Sequence, residues 1–154
     1  MTEPIVVEFE VDCTPEHAFR MWTERTALWW PTSHTLTGDS DFEVVFEPRS
    51  GGRIYERGPD GSEHEWGEVR IWDPPNRVEY LWHLFFERSE GTDITLTFEP
   101  VGGGTRVRLH QDGFDRLPDD VSGPRRDRTQ GAWAEITMLF QEALPPLAEG
   151  VPAT

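Results

Sequence analysis

Apolar and polar residues alternate over most of the middle of the chain, and this period of two predicts β-strands. A first strand is predicted at Ile5–Val11. After residue 38 the pattern recurs six times, interrupted by turns rich in Gly, Pro, Asp and Asn. These further strands are predicted at 42–46, 53–57, 63–72, 77–87, 93–99 and 105–111. Because short hairpin turns connect them, the sheet should be antiparallel.

Two short helices are predicted directly after the first strand. The first begins with Thr14 as its N-cap and Pro15 at its first position. The second covers 26–30 and ends before Pro31, because a proline disfavours helical geometry in the residue that precedes it. The buried face of the first helix carries Ala18, Phe19 and Trp22.

The last apolar stretch repeats with the period of a helix. This helix is predicted to start near Pro124, with Ser122 or Gly123 as its cap, and to end at 145–146, where two prolines follow each other. Its apolar face carries Trp133, Ile136, Phe140, Ala143, Leu144 and Leu147. The simplest way to bury both this face and the sheet is to lay the helix across the sheet.

The pattern therefore predicts an α+β fold, in which an antiparallel sheet of about seven strands curves around a long C-terminal helix. The length of 154 residues indicates a single domain, expected at 1–149, followed by a disordered tail at 150–154. Seven Trp and nine Phe residues indicate a folded chain. A helix across a sheet often leaves a cavity, where we expect the function.

The formal net charge of −15 excludes several classes of partner. Nucleic acids and anionic membrane surfaces both require clustered basic residues, so neither is expected. All 14 basic residues are arginine. No apolar run reaches membrane-spanning length, and residues 1–4 lack the features of a secretory signal. With Cys13 as the single cysteine, the sequence is consistent with a reducing compartment and a cytoplasmic location.

Catalytic and metal-binding patterns are weak. The five histidines, at positions 17, 34, 64, 83 and 110, show none of the helical spacing of a zinc site. There is no Gly-x-Ser-x-Gly motif. Cys13 follows Asp12, whose charge should raise the thiol pKa, so it should be a small buried residue and not a nucleophile. We therefore expect no metal, no cofactor and no catalytic residue, and the chain is more readily interpreted as a binding protein than as an enzyme.

A series of short motifs occurs in order over nearly the whole chain. They are Thr14-Pro15-Glu16 with Ala18, Phe19 and Trp22; Trp29-Trp30-Pro31; Gly51-Gly52-Arg53 with Tyr55-Glu56; Gly67-Glu68-Val69 before Asp73-Pro74-Pro75; Tyr80 with Trp82; Gly104-Thr105 with Val107; and Gly131 with Trp133. With these motifs the sequence resembles the activator of Hsp90 ATPase homologue-like branch of the START/Bet v 1 (SRPBCC) superfamily, in its bacterial stand-alone form. The resemblance implies the helix-grip fold.

The resemblance also implies three kinds of function. Members of the branch are similar to binders of small apolar or aromatic molecules, to chaperone-associated interaction modules, and to self-sacrificing resistance proteins of enediyne producers. In the last kind the chain is cleaved near a glycine at the end of a strand, which corresponds to Gly113 here. Family members often carry a histidine at the position of Gln111, so no role is transferred to the neighbouring His110.

We predict that an apolar or aromatic small molecule binds between the C-terminal helix and the sheet. The residues expected to line this cavity are Trp30, Phe46, Tyr80, Trp82, Leu109, Gln111, Trp133 and Met138. Trp66 and Trp72 alternate in phase with the charged residues Glu68 and Arg70, so we place them on the outer face of the sheet. Exposed there, they would form an aromatic patch for a protein partner or a homodimer.

Overall fold

In a computed structural model, residues 3–144 of the chain are described. They form seven strands and two α-helices. In chain order these are β1 (Ile5–Val11), α1 (Pro15–Glu24), β2 (Glu43–Phe46), β3 (Arg53–Arg57), β4 (Glu63–Asp73), β5 (Arg77–Trp82), β6 (Thr92–Val101), β7 (Gly104–Asp112) and α2 (Asp119–Ala143). The α+β prediction is therefore confirmed, and six of the seven strands match the predicted ranges to within two residues.

The seven strands make one antiparallel sheet in the order β1-β7-β6-β5-β4-β3-β2. The long helix α2 packs on one face of this sheet and meets α1 there. Its Trp133 ring lies 6.4 Å from the Trp82 ring of β5 and 6.1 Å from the Trp22 ring of α1, centroid to centroid. The core therefore lies between the sheet and the two helices, as the apolar stripe predicts.

Only one α-helix, α1, lies between β1 and β2, so the prediction of a second short helix at 26–30 is wrong. α1 has the predicted start, because the Thr14 hydroxyl accepts a hydrogen bond from the His17 amide at 3.2 Å. The segment after it is a single 3₁₀ turn, Thr26–Leu28. Too few residues separate the end of α1 from Pro31 to build a second α-helix.

Two other boundaries differ from prediction. α2 begins at Asp119, ahead of the predicted Pro124, which lies inside the helix. Pro118 and two acidic residues in the first turn suit a helix start, and a proline in the second turn removes only one backbone hydrogen bond. β5 ends at Trp82, and the chain turns over the next four residues. The predicted tail at 150–154, Leu147 and the prolines at 145–146 lie outside the described residues.

The outer-face assignment of Trp66 and Trp72 is wrong. Trp66 has no exposed surface, and its indole N–H donates a 3.0 Å hydrogen bond to Glu56. Trp72 is half-buried and packs edge-on against Phe19 of α1 at 5.2 Å. The pairing of β4 with β3 shifts by one residue near Trp66, and its pairing with β5 shifts near Arg70. Each bulge reverses the inward and outward alternation, so both rings face the core and no outer aromatic patch forms from them.

Candidate functional site

A cavity of about 310 Å³ opens between α2 and the sheet. This volume is at the lower end of the roughly 300–1,000 Å³ typical of small-molecule sites. Its walls are mostly apolar, with a few polar groups. The lining residues are Trp30, His34, Trp82, Leu84, Phe85, Phe86, Gln111, Arg125, Arg128, Thr129, Ala132, Trp133 and Ile136.

One wall is a single face of α2. Its lining residues lie at positions 125, 128, 129, 132, 133 and 136, a spacing of three or four residues with each turn. The face changes character along the helix, from arginines at the N-terminal end to Trp133 and Ile136 further on. At its middle Ala132, the smallest side chain of the lining, leaves the space that the cavity occupies.

Three tryptophans supply the aromatic wall. The Trp30 ring lies 5.8 Å from Trp82 and 5.9 Å from Trp133, in edge-to-face arrangements. Behind them, Trp66 contacts both Trp30 and Trp82, and Trp22 contacts Trp133. Such packing fixes the orientations of the rings.

Gln111 places a buried amide at the floor of the cavity. Its side-chain oxygen accepts a 2.6 Å hydrogen bond from the indole N–H of Trp133, and its NH₂ group donates to the Thr92 hydroxyl at 2.8 Å. The Thr92 hydroxyl in turn donates to the Trp82 carbonyl at 3.4 Å. The network joins α2, β7, β6 and β5, and therefore fixes the Trp133 ring against the sheet.

Two arginines line the cavity, and Arg125 is the buried one, with only 3% of its surface exposed. Its guanidinium donates a 2.8 Å hydrogen bond to the Glu90 carbonyl and lies 3.5 Å from the centre of the Phe86 ring. Within residues 3–144, no carboxylate lies within 4.0 Å of it. Burial is the main cause that lowers the pKa of Arg125 to about 10, which leaves it charged at neutral pH.

The loop that carries His34 is held to the sheet by Glu56, a fully buried carboxylate on β3. Glu56 accepts hydrogen bonds from the amides of Leu36 and Thr37, at 2.7 and 2.9 Å, and from the Thr37 hydroxyl at 2.5 Å. A fourth bond comes from the Trp66 indole. Burial acts to raise the pKa of Glu56, but these donors outweigh it and hold the pKa below its ordinary value.

Phe85 stands on the turn after β5, at the edge of the cavity, with 53% of its surface exposed. Its φ of +71° is unusual for a residue with a Cβ, and no other non-glycine residue of the described chain has a positive φ. His83 anchors the turn through a 2.8 Å contact between its Nε2 and Glu65. A bulky aromatic side chain thus occupies a position that glycine would fill without strain.

Replacing Phe85 tests whether its left-handed backbone is strained. We expect Phe85→Gly to leave the free energy of unfolding unchanged or to raise it by up to about 1 kcal/mol, because it relieves the left-handed strain but adds unfolded-state entropy. Phe85→Ala should be the less stable of the two, because it keeps the strain. Urea denaturation checks the order, and a more stable alanine variant would contradict it.

The structure brings four of the predicted cavity residues together in the lining, namely Trp30, Trp82, Gln111 and Trp133. Three others, Phe46, Tyr80 and Leu109, are buried in the core and do not line the cavity. The placement of Met138 is wrong, because this residue is 51% exposed. At 100° per residue it lies about 200° from Ile136 and from Phe140, on the outer side of α2.

Sequence reasoning missed Arg125, His34 and the turn residues Phe85 and Phe86. Arg125 could have been found, because it extends the Trp133 stripe eight residues, or about two turns, towards the N-terminus. In the sequence it stands in the run Arg125-Arg126-Asp127-Arg128, which is typical of a solvated helix face. The turn residues carry no comparable pattern, since their position depends on where β5 ends.

Several other predicted features have clear structural settings. Gly113 has a φ of +100° at the start of a 3₁₀ turn and is not part of the cavity lining; this backbone favours glycine. Cys13 is buried, and burial, with a smaller effect of Asp12, raises the pKa of its thiol to about 11. Within residues 3–144, no cluster of His, Cys, Asp and Glu could hold a metal, and no helix could span a membrane.

The sheet, the long helix across it and the cavity between them define the helix-grip class of ligand-binding folds. The sequence profile of the activator of Hsp90 ATPase homolog 1-like proteins matches residues 12–144. The chain belongs to this family, which confirms the resemblance drawn from its motifs. A search of curated proteins finds no match to the sequence.

Solved structures with the same fold include proteins of different descriptions. The Aha1 dimer from Colwellia psychrerythraea is 19% identical, with a TM-score of 0.66 over 92% of this chain and 96% of that one. An anthrahydroquino-gamma-pyrone synthase, Txn09, solved as a complex, is 28% identical, with a TM-score of 0.64 over 92% and 96%. DynU16, from the dynemicin biosynthetic locus, is 13% identical, with a TM-score of 0.66 over 92% of this chain and 47% of its own.

Proposed function

We propose that this protein binds a planar aromatic small molecule in the cavity between α2 and the sheet. The observation that carries the proposal is the set of three preoriented tryptophans, Trp30, Trp82 and Trp133, around an apolar space that Ala132 leaves open. Flat rings gain most from such walls, because stacked and edge-to-face contacts add to the burial of apolar area. A flexible aliphatic chain would gain the burial alone.

The similarity to Txn09 supports this proposal. Its name describes the synthesis of an anthrahydroquino-gamma-pyrone, a compound with fused rings, and the two chains are 28% identical over almost their full lengths. A shared fold does not transfer a reaction, because function depends on the groups in the site. The polar groups that line the cavity of this protein are two arginines, an amide, a histidine and a threonine whose hydroxyl donates to the Arg125 carbonyl, and binding is the function that this set supports.

Two other hypotheses from the sequence remain predictions. A self-sacrificing resistance protein is consistent with the similarity to DynU16. Gly113, however, lies outside the cavity lining, and the positive φ of its turn is by itself a reason for a glycine at this position. An interaction module is consistent with the family and with the dimeric Colwellia relative. The aromatic patch on which we based a partner surface is absent from the outer face, so nothing in the described chain favours that hypothesis specifically.

Filling the cavity tests the proposal. Anthraquinone-2-carboxylate should quench the tryptophan fluorescence of the wild-type protein in a saturable way, and palmitate should bind at least tenfold more weakly. Ala132→Phe should weaken the anthraquinone binding by at least about tenfold, or 1.4 kcal/mol, because the new ring occupies the ligand space. Titration calorimetry measures the affinity of each ligand for the wild-type protein and for Ala132→Phe.

Ala134 provides the matched control. It lies on the exposed side of the same helix, so Ala134→Phe adds the same ring to α2 without entering the cavity. We expect its affinity for anthraquinone-2-carboxylate to equal that of the wild type. Binding that survives in Ala132→Phe, or that is lost equally in both variants, would reject the cavity as the site.

A further inference from the structure

Arg125 is exceptional among the arginines of this chain. The sequence contains 29 acidic residues and 14 arginines, so a carboxylate partner is abundant. Among residues 3–144, which contain all the arginines, eleven have a carboxylate within 4.0 Å. The three without one are Arg25, Arg125 and Arg128. Two of these three line the cavity, and Arg125 alone is buried.

Glu90 contacts Arg125 through its backbone and not through its carboxylate. Glu90 offers its backbone carbonyl to the guanidinium, while its carboxylate accepts a 3.0 Å hydrogen bond from the Glu87 amide in a local capping box. Burial is the main cause that lowers the pKa of Arg125, the more distant charge of Glu90 raises it, and the positive charge of Arg128 lowers it again. Two arginines therefore line one end of the cavity, and among the described residues neither has a carboxylate within 4.0 Å, which is costly for the buried charge of Arg125.

We propose that the ligand is an aromatic carboxylate whose charged group pairs with Arg125, with Arg128 assisting from the cavity mouth. This inference rests on the proposed function, which it narrows from a flat aromatic molecule to an anionic one. The guanidinium has five N–H donors in a planar fork, and the single bond to Glu90 leaves donors available for a carboxylate. The ring system would then extend along α2 from Arg125 towards Trp133, past Ala132.

A matched ligand pair tests the charge without altering the protein. Anthraquinone-2-carboxylate and anthraquinone-2-carboxamide have the same rings and nearly the same size, but only the first is anionic at neutral pH. We expect the wild-type protein to bind the carboxylate at least tenfold more tightly by titration calorimetry. Equal affinities would overturn the inference and leave the proposed function standing, whereas binding of neither compound would reject both.

Variants of the two arginines then show which residue causes the preference for the carboxylate over the carboxamide. Arg125→Met, which keeps a long apolar stem beside Phe86, should abolish the preference for the carboxylate and change the affinity for the carboxamide by less than threefold. Arg128→Met should reduce the preference only in part, and this variant tests the anionic end even if Arg125→Met fails to fold. Arg20→Met, at an exposed arginine paired with Glu24, is the control and should keep the wild-type preference. A preference that persists in a folded Arg125→Met would overturn the assignment.

Discussion

Replacing Trp133 with alanine should lower the free energy of unfolding by about 3–5 kcal/mol, the usual cost of removing a large buried ring. Trp133 is 2% exposed and contacts three other tryptophans, Trp22, Trp30 and Trp82. Its loss would leave a cavity at the centre of the helix–sheet interface. It would also leave the buried oxygen of Gln111 without its donor, a further penalty. Urea denaturation followed by circular dichroism measures the change.

Two further substitutions separate the contributions. Trp133→Phe keeps an aromatic ring but removes the indole N–H, so its loss of stability should be smaller than that of Trp133→Ala. Met138→Ala is the matched control on the other side of α2, because Met138 is half exposed and its removal should change stability little. Similar losses for Trp133→Ala and Met138→Ala would show that the buried face of the helix is assigned wrongly.

This contrast also explains what the sequence could predict. A regular helix has one period, so the stripe from Trp133 through Ile136 to Phe140 determines the buried face once the helix is recognised. The same period puts Met138 on the opposite side of the helix, so the sequence alone contradicts its placement in the cavity. Most strands were predictable for the same reason, since an alternation of two shows where a strand runs and, where the strand has no bulge, which of its faces is buried.

The two tryptophans of β4 show where this reasoning ends. A β-bulge inserts one residue and reverses every face beyond it. Gly67 adjoins the first bulge and is a residue type typical of one, but no residue type marks the second bulge, at Arg70. Simple alternation therefore predicts that Trp66 and Trp72 face outward, whereas in the structure both face the core. The second missed feature is that Arg125 has no carboxylate partner. Its position on the buried face follows from the helical stripe, but the lack of a partner depends on which acidic residues lie nearby, and this follows from tertiary packing.

Replacing Glu56 with glutamine should destabilise the protein most at neutral pH and least in acid. The carboxylate accepts four hydrogen bonds in a fully buried site, and an NH₂ group in place of one oxygen would face donors without an acceptor. We expect a loss of about 1–3 kcal/mol at pH 7. The loop that carries His34 should also become more mobile, because Glu56 binds the amides of Leu36 and Thr37, which follow in the same loop.

The pH dependence follows from the lowered pKa of Glu56 in the folded state. A group whose folded pKa lies below its unfolded value of about 4.5 stabilises the fold fully above that pH, and the contribution is lost as the pH falls through the folded pKa. The difference in stability between wild type and Glu56→Gln, measured by urea denaturation from pH 7 to pH 3, should therefore shrink in acid. Glu63→Gln, at an exposed carboxylate paired with Arg53 and Arg57, should change stability less at pH 7. A difference for Glu56→Gln that stays constant down to pH 3 would mean that folding does not shift the pKa of this carboxyl group, and a difference that grows in acid would mean that the group is neutral in the folded protein.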